Sequence, residues 1–229
     1  RRNMFFPGTA LMEERNMTGI QDSGVPIIRF ENHCKQFAQV LANDNISFSI
    51  REGEVHCLLG ENGAGKSTLA ECLYGFYKPT SGKIYLKGEE LSINSPRDAI
   101  DVGIGMVHQH FILAEAMSVV ENIVVGTKSD GIRIDLNEAA GRVTELCEKY
   151  GVDLDPFAKV SNLSVGKQQW VEILKALYSG VRILILDEPT AVLTPQESQK
   201  LFNIIKQMTD EGYSIILITH KLHEVMSVS

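Results

Sequence analysis

The chain has 229 residues, enough for one large domain or for one domain with an inserted subdomain. Hydrophobic residues make up 44% and charged residues 22%, as in ordinary globular proteins, and the net charge of -7 disfavours a nucleic-acid-binding surface. The cysteines show no Cys-x-x-Cys spacing, so we expect neither a zinc site nor disulfides, and no apolar run approaches the roughly 18 residues of a membrane helix.

The first part of the chain alternates short apolar segments with turns. Residues 1–24 show no helical or strand periodicity and form an unassigned tail. Strands are predicted over residues 27–30, 46–50 and 54–59, and a helix over residues 67–74 follows the last of them. A turn then leads to predicted strands over residues 83–86 and 104–108, with a short helix beginning at Pro96 between them.

The second part is first helical and then alternating. A helical pattern over about residues 115–180 predicts an inserted helical subdomain. Strands over residues 183–186 and 215–219 then enclose a helix over residues 196–208, and this alternation predicts a parallel sheet covered on both faces. The chain stops soon after a helix start at Leu222, with no closing strand, so we expect a domain shortened at its C-terminus.

The most informative segment is the glycine-rich stretch over residues 60–68, which lies between a buried strand and a helix. Glycines let the backbone turn its N–H groups towards phosphates, and the helix start adds positive potential. Lys66 is placed to reach the terminal phosphates of a nucleoside triphosphate, and Ser67 to bind Mg²⁺. The predicted phosphate-binding residues are Gly60, Asn62, Gly63, Ala64, Gly65, Lys66, Ser67 and Thr68.

An acidic pair, Asp187 and Glu188, follows the aliphatic strand over residues 183–186. Proteins with parallel sheets place ligand-contacting side chains at this end of their strands. We expect Asp187 to hold Mg²⁺ and Glu188 to act as the general base on the attacking water. A helix cap or a surface turn is the alternative, which the next residues, Pro189 and Thr190, leave open.

Two further polar residues, Gln109 and His220, come directly after predicted strands. Taken singly, each would be an ordinary loop residue. Together they are placed to bracket a γ-phosphate, His220 by a hydrogen bond and Gln109 through the attacking water or Mg²⁺. His108 and His110 flank Gln109, and we interpret them as loop residues rather than as metal ligands.

These residues, together with Leu-Ser-Val-Gly at residues 163–166, resemble the ATP-binding cassette (ABC) superfamily in the same order, over about residues 27–229. Residues 105–111, 171–177 and 191–197 are similar to one branch, the importers of simple sugars and nucleosides, whose ATPases often carry two cassettes in one polypeptide. The chain resembles the first of the two. The resemblance implies an α/β P-loop NTPase core with a parallel sheet, a small N-terminal antiparallel β subdomain and an inserted helical subdomain, all within one nucleotide-binding domain over residues 25–229.

The resemblance also implies roles for residues outside the phosphate loop. Phe37 matches the aromatic residue that stacks on adenine, with a core phenylalanine as the alternative. Ser164 and Gly166 match the family's contacts to the γ-phosphate bound by an opposite cassette. Ser164 is also expected to cap the helix over residues 168–177, which is compatible with that contact. A second cassette is therefore expected to complete each active site.

Three positions depart from the usual pattern of the family. Lys167 stands where Gln is usual and adds a positive charge near the phosphate. Trp170 replaces a common Arg, which removes a charge that would pair across the dimer. Thr194 replaces an Asp, and we expect it to weaken communication between the two sites.

The function implied by the resemblance is ATP hydrolysis, with ATP and Mg²⁺ as cofactors, at the cytoplasmic face of the cell membrane, powering import of nucleosides or simple sugars. The expected partners are a second cassette, transmembrane permease subunits and, indirectly, an extracytoplasmic solute-binding protein, but no nucleic acid. The alternatives are a soluble non-transport ABC ATPase, disfavoured by the lack of sustained heptads, and a hydrolysis-deficient regulatory cassette. The presence of Lys66, Gln109, Glu188 and His220 disfavours the second alternative.

Overall fold

The computed structural model of the chain describes residues 3–5, 25–125 and 135–228. Its central element is a five-stranded sheet in the order β1-β4-β9-β8-β7, in which every pair of neighbouring strands is parallel. These strands are β1 (Asn3–Phe5), β4 (Val55–Leu59), β7 (Ile104–Val107), β8 (Ile183–Asp187) and β9 (Ser214–Thr219). The predicted parallel sheet is therefore confirmed, and its strands all end at the same edge.

A second, four-stranded antiparallel sheet has the order β3-β2-β5-β6. It consists of β2 (Ile28–Phe37), β3 (Val40–Ile50), β5 (Ser81–Leu86) and β6 (Glu89–Glu90), which confirms the antiparallel subdomain. β2 and β3 extend well beyond the predicted strands over residues 27–30 and 46–50. The register between them shifts repeatedly after Phe30, and such irregular pairing interrupts the alternation from which strands are recognised in a sequence.

Seven α-helices complete the described part of the chain. They are α1 (Lys66–Leu73), α2 (Pro96–Asp101), α3 (Val119–Val124), α4 (Leu136–Tyr150), α5 (Val165–Tyr178), α6 (Pro195–Asp210) and α7 (Leu222–Val228). Helices α3, α4 and α5 pack against one another and fall within the predicted helical region at residues 115–180. None of the helices in these ranges is long and apolar enough to cross a membrane.

The parallel sheet separates two hydrophobic cores because its strands alternate between them. In β8, Leu184 and Leu186 belong to the core shared with the helical region, whereas Ile183 and Ile185 belong to the core beneath the antiparallel sheet. All residues of β8 are buried. Covering on both faces explains the uninterrupted aliphatic run of this strand.

The N-terminal tail contributes one element that its sequence does not indicate. Asn3, Met4 and Phe5 form β1, which pairs in parallel with β4. Three residues are too few to show a periodic pattern, so this strand is recognisable only from its backbone pairing. Residues 1–2 and 6–24 lie outside the described residues, and the remainder of the tail stays unassigned.

Candidate functional site

The loop between β4 and α1 has a backbone that only glycine allows at Gly65. Its φ is 87°, and a Cβ built there would lie 2.2 Å from the carbonyl oxygen of Ala42. No side chain caps the N-terminus of α1, so the first N–H groups of this helix are open to a ligand. An uncapped helix start beside a glycine loop is suited to bind an anion such as phosphate.

The antiparallel sheet supports this loop through Asn43 of β3. The Asn43 side chain is 1% exposed, and its Nδ2 donates a hydrogen bond of 3.0 Å to the carbonyl oxygen of Gly65. We did not predict this residue from the sequence. A single asparagine in a partly polar strand carries no signal of a contact with a loop more than twenty residues later.

Lys66 is folded back over the loop to which it belongs. Its Nζ donates hydrogen bonds of 2.8 Å and 2.9 Å to the carbonyl oxygens of Gly60 and Glu61. Burial lowers the pKa of Lys66, while the negative charges of Glu188 and Asp187 act in the opposite direction. When a nucleotide binds, phosphate oxygens can replace the two carbonyl oxygens as the acceptors of the Lys66 ammonium group.

Asp187 ends β8 next to Ser67, at the start of α1. The carboxyl group is 5% exposed, and burial raises its pKa, opposed by a hydrogen bond from Ser67. Its Oδ1 is buried without a hydrogen-bond partner. A buried, unpartnered carboxylate oxygen beside a hydroxyl group fits the oxygen ligands that Mg²⁺ prefers.

The structure brings the three predicted catalytic side chains together. Glu188 Oε1 lies 2.9 Å from Nδ1 of His220, and Glu188 Oε2 accepts a hydrogen bond of 3.3 Å from Nε2 of Gln109. The φ of Glu188 is 46°, a left-handed conformation that is rare for a residue with a side chain. Such backbone strain persists only where the surrounding structure imposes it, and it is typical of functional sites.

His220 lines one open cleft together with the first residues of the phosphate loop. The cleft has a volume of about 610 Å³ and is lined by Leu59, Gly60, Glu61, Asn62, His220 and Leu222. Since β4, β8 and β9 are parallel neighbours, the residues that follow them necessarily meet at one edge of the sheet. The sequence-based grouping of residues 60–68, Asp187, Glu188, Gln109 and His220 therefore corresponds to one place in the fold.

Phe37 lies at the end of β2, away from both hydrophobic cores. It is 36% exposed and packs edge-to-face on Tyr77, with ring centroids 4.9 Å apart. Nζ of Lys35 lies 4.8 Å from the Phe37 ring centroid. This exposure argues against a core phenylalanine, and stacking on adenine stays a prediction.

Ser164 and Gly166 lie at the start of α5, in the helical region. Ser164 is exposed and caps the helix, accepting a hydrogen bond of 3.3 Å from the backbone N–H of Lys167. A Cβ at Gly166 would lie 2.4 Å from Oε1 of Glu197, so a side chain at this position would require the Glu197 carboxylate to move. Within the described ranges, no hydrogen bond or ion pair joins Ser164 to the phosphate loop.

The three positions that depart from the family's usual pattern each contact neighbouring residues of the same chain. Nζ of Lys167 lies 3.1 Å from Oδ2 of Asp153. Trp170 is 6% exposed and packs in the core of the helical region. The expected loss of a charge that would pair across a dimer stays a prediction. Thr194 and Glu197 form a capping box at the start of α6. This stabilising role is not evident from the replacement of the family's Asp by Thr.

His108 contacts aromatic residues rather than the phosphate loop. Its ring centroid lies 5.4 Å from that of Phe76 and 6.0 Å from that of Tyr74, and burial lowers its pKa. In the described part of the chain, no cluster of three or more His, Cys, Asp or Glu side chains is arranged to hold a metal ion. His108 directly follows β7, which agrees with its interpretation as a loop residue.

Comparisons with known proteins point to one family. The ABC transporter family profile matches residues 43–191. A glucose import ATP-binding protein of Haloferax volcanii is 49% identical over 232 residues, covering 89% of this chain and 42% of that protein. A nucleoside import ATP-binding protein of Lactococcus lactis is 50% identical over 204 residues (89% and 40%), and a guanosine import ATP-binding protein of Bacillus subtilis is 51% identical over 191 residues (83% and 38%). The chain thus spans about two fifths of the length of these relatives.

The solved structures that resemble this chain also come from ABC transporters. A nucleotide-free ATP-binding cassette from an ABC transporter superposes with a TM-score of 0.80 at 26% identity, covering 89% of this chain and 85% of that chain. The cassette of a Clostridium perfringens ABC transporter complex gives a TM-score of 0.72 at 28% identity, covering 86% and 79%. The profile match over residues 43–191 and the identity of 49–51% to the import ATP-binding relatives show that the chain belongs to the ABC transporter family.

Proposed function

We propose that the chain binds and hydrolyses ATP as one cassette of a pair, and that the pair powers a membrane importer of nucleosides or simple sugars. The proposal is carried by one observation: the Glu188 carboxylate bridges His220 and Gln109 at the strand ends beside the phosphate loop. The cargo rests on the relatives, whose names specify import of glucose, nucleosides and guanosine.

The chemistry follows from what each side chain can do. Lys66 and the open N–H groups of α1 bind the phosphates, exchanging carbonyl partners for phosphate oxygens. Glu188 accepts a proton from the attacking water, and His220 and Gln109 fix the orientation of its carboxylate. Ser67 and Asp187 would hold Mg²⁺, which when bound neutralises charge on the phosphates.

The partners are proposed on two grounds. Ser164 is exposed at the start of α5 and does not contact the phosphate loop, so it is free to contact a nucleotide held by a second cassette. The relatives are import ATP-binding proteins, which favours permease subunits at the cytoplasmic face of a membrane, with a solute-binding protein acting indirectly. The same names disfavour a soluble, non-transport ATPase.

The general-base assignment is tested with Glu188→Gln in the assembled transporter. The amide keeps the shape of the side chain but cannot take up the proton, so we expect kcat to fall by about 100-fold or more. Equilibrium ATP binding should stay within threefold of the parent by the same argument. Glu90→Gln, which alters an exposed carboxylate paired with Lys83, is the matched control.

Two outcomes would contradict the proposal. Hydrolysis at the parent rate by Glu188→Gln, with a competent second cassette present, would remove Glu188 as the base. A parent assembly that binds ATP but never hydrolyses it would instead support a regulatory cassette. The cargo is tested separately, by measuring uptake of nucleosides and simple sugars into vesicles that contain the whole assembly.

A further inference from the structure

Glu224 is a buried carboxylate to which the proposed reaction assigns no task. It lies in α7 and is 2% exposed. Its Oε1 accepts a hydrogen bond from the Thr190 hydroxyl and lies 3.1 Å from Nζ of Lys221, while its Oε2 accepts a 2.6 Å hydrogen bond from the Thr219 hydroxyl. Both oxygens are therefore occupied, as a buried charge requires.

The two threonine hydroxyls are themselves oriented towards Glu224. Thr219 Oγ1 accepts a hydrogen bond of 3.0 Å from the backbone N–H of Lys221, and Thr190 Oγ1 accepts one of 3.3 Å from Lys221 Nζ. Each hydroxyl has one proton, which is left to point at the carboxylate. Burial alone would raise the pKa of Glu224, but the bonds from Thr190, Thr219 and Lys221 bring it below its usual value, so Glu224 is an anion.

The residues held by Glu224 adjoin the proposed catalytic pair. Thr190 lies two residues after Glu188, in the turn that follows β8, and Thr219 directly precedes His220 at the end of β9. One carboxylate thus joins the two segments that carry the pair. The contact between Glu188 and His220 at 2.9 Å depends on how these segments are placed relative to each other.

We propose that Glu224 is a positioning residue, which holds the turn after Glu188 against the segment before His220 and thereby keeps the two side chains in contact. The proposal rests on the proposed function, in which Glu188 acts as the base. Displacements on the order of 1 Å are enough to impair a catalytic contact by up to about 100-fold. Within the described residues, the hydrogen bonds and ion pair of Glu224 join it to Thr190, Thr219 and Lys221 and not to the phosphate loop, so its removal should affect turnover rather than nucleotide binding.

The positioning is tested directly by NMR of the His220 imidazole in the chain. In the parent, Glu188→Gln should shift the ring resonances, because it changes the group that faces Nδ1. In a chain that already carries Glu224→Ala, the same replacement should cause less than a third of that shift, since the contact is already lost. An equal shift in both backgrounds would overturn the proposal, and this readout does not depend on hydrolysis.

Glu211 provides a control of similar chemistry elsewhere in the fold. Its carboxylate contacts the Tyr150 hydroxyl, Nζ of Lys149 and Nε2 of Gln207, at the end of α6. In Glu211→Ala, the response of His220 to Glu188→Gln should equal that of the parent. If Glu211→Ala also abolished the response, general loosening of the fold would explain both variants and the positioning role would be rejected.

The consequence for turnover is measured in the assembled transporter. Glu224→Ala should lower kcat about tenfold with KM for ATP within twofold, and should have no further effect in a Glu188→Gln background. Glu224→Gln should stay within threefold of the parent, because one hydroxyl can still donate to its oxygen while the other accepts from its amide. If Glu224→Ala lowered kcat by the same factor in the parent and in the Glu188→Gln background, the role of Glu224 would be purely structural.

If Glu224→Ala does not fold, Thr190→Val, which removes one of the two hydroxyls that donate to Glu224, carries the same NMR and double-variant tests. A partial loss of the His220 response is expected, and an undiminished response would contradict the proposal. If the parent assembly does not hydrolyse ATP, the proposed function fails while the His220 measurement still decides whether Glu224 positions the pair. The two failures are therefore distinguishable.

Discussion

The chain carries two surfaces suited to phosphate, and they differ in how complete they are. The loop over residues 60–68 shares one edge of the parallel sheet with Asp187, Glu188 and His220, and their side chains are joined by short contacts. Ser164, by contrast, is exposed at the start of α5 and bonds only to its own helix. The first surface is assembled within one chain, whereas the second is proposed to contact a nucleotide held by another cassette.

The difference arises from the elements that build each surface. Parallel strands end at a common edge, so residues that are distant in sequence meet there without any further device. A helix start presents donors in one direction only, and within the described residues no hydrogen bond joins Ser164 to the chain's own loop. Variants that weaken nucleotide binding by the chain should therefore lie at the phosphate loop. Variants at the start of α5 should affect only hydrolysis by the assembled pair of cassettes.

The largest effect is expected from Gly65→Ala, which tests whether the first surface is preformed. The new Cβ would meet the Ala42 carbonyl oxygen at 2.2 Å, and the φ of 87° is unfavourable for alanine. Strain and overpacking together on the order of 4 kcal/mol would weaken ATP binding by about 1000-fold. Isothermal titration of the chain with Mg²⁺ and ATP measures this loss.

Gly180→Ala is the matched control for Gly65→Ala. Its φ of 77° imposes similar backbone strain, but no atom lies within 4 Å of the added Cβ. We expect unfolding to become easier by about 1 kcal/mol, with ATP affinity unchanged. Comparable losses of ATP affinity in both variants would show that strain alone, rather than the contact with Ala42, disturbs the loop.

Much of the first surface is predictable from the sequence because its signals are local. The glycine pattern fixes the loop, and an aliphatic run followed by Asp187 and Glu188 identifies a strand end. Gln109 and His220 follow strands on either side of β8, so a parallel sheet alone predicts that they lie near Glu188. Their hydrogen bonds to Glu188 add the geometry that a pattern does not contain.

The supporting residues were not predictable in this way. Asn43 and Glu224 act through tertiary contacts with Gly65 and with the two threonines, and nothing in their sequence neighbourhoods indicates those contacts. The burial of Trp170 is equally absent from the sequence signal, since a motif comparison records residue types but not which face of α5 is buried. These residues are recognisable only once the packing of neighbouring elements is known.

An intermediate effect is expected from Ser164→Ala, which tests the separation of the two surfaces. ATP affinity of the chain alone should remain within twofold of the parent, because Ser164 makes no contact with the phosphate loop. Hydrolysis by the assembled pair should fall by about 100-fold if its hydroxyl donates to the opposite nucleotide in the transition state. Titration of the chain and steady-state hydrolysis by the assembly give the two numbers.

Loss of a helix cap accompanies this substitution and needs its own control. Ser118→Ala removes the N-cap of α3 and should likewise cost about 1 kcal/mol of stability. It should leave hydrolysis within threefold of the parent, because Ser118 has no part in the proposed reaction. Weaker ATP binding by the isolated Ser164→Ala chain would mean that the two surfaces are not separate.

The smallest effect concerns pH and the antiparallel sheet that supports the first surface through Asn43. His33 in β2 is 0% exposed. Burial lowers its pKa from 6.5 to about 4; the side chain of Asn43 opposes this shift, and the positive charge of Lys35 adds to it. As pH falls below 6.5, His33 binds a proton in the unfolded chain but stays neutral in the folded chain until about pH 4. The free energy of unfolding therefore decreases across this window.

Denaturant unfolding at pH 7.5 and pH 5.5 measures this loss. The parent should lose about 1 kcal/mol more than His33→Phe over this interval, since the variant has no imidazole to titrate. Carboxyl groups titrate equally in both chains and cancel in the comparison. His223→Gln, which removes an exposed histidine, should follow the parent. Equal pH dependence of the parent and His33→Phe would mean that His33 is protonated in the folded chain, and that the sheet beneath the phosphate loop is open to water.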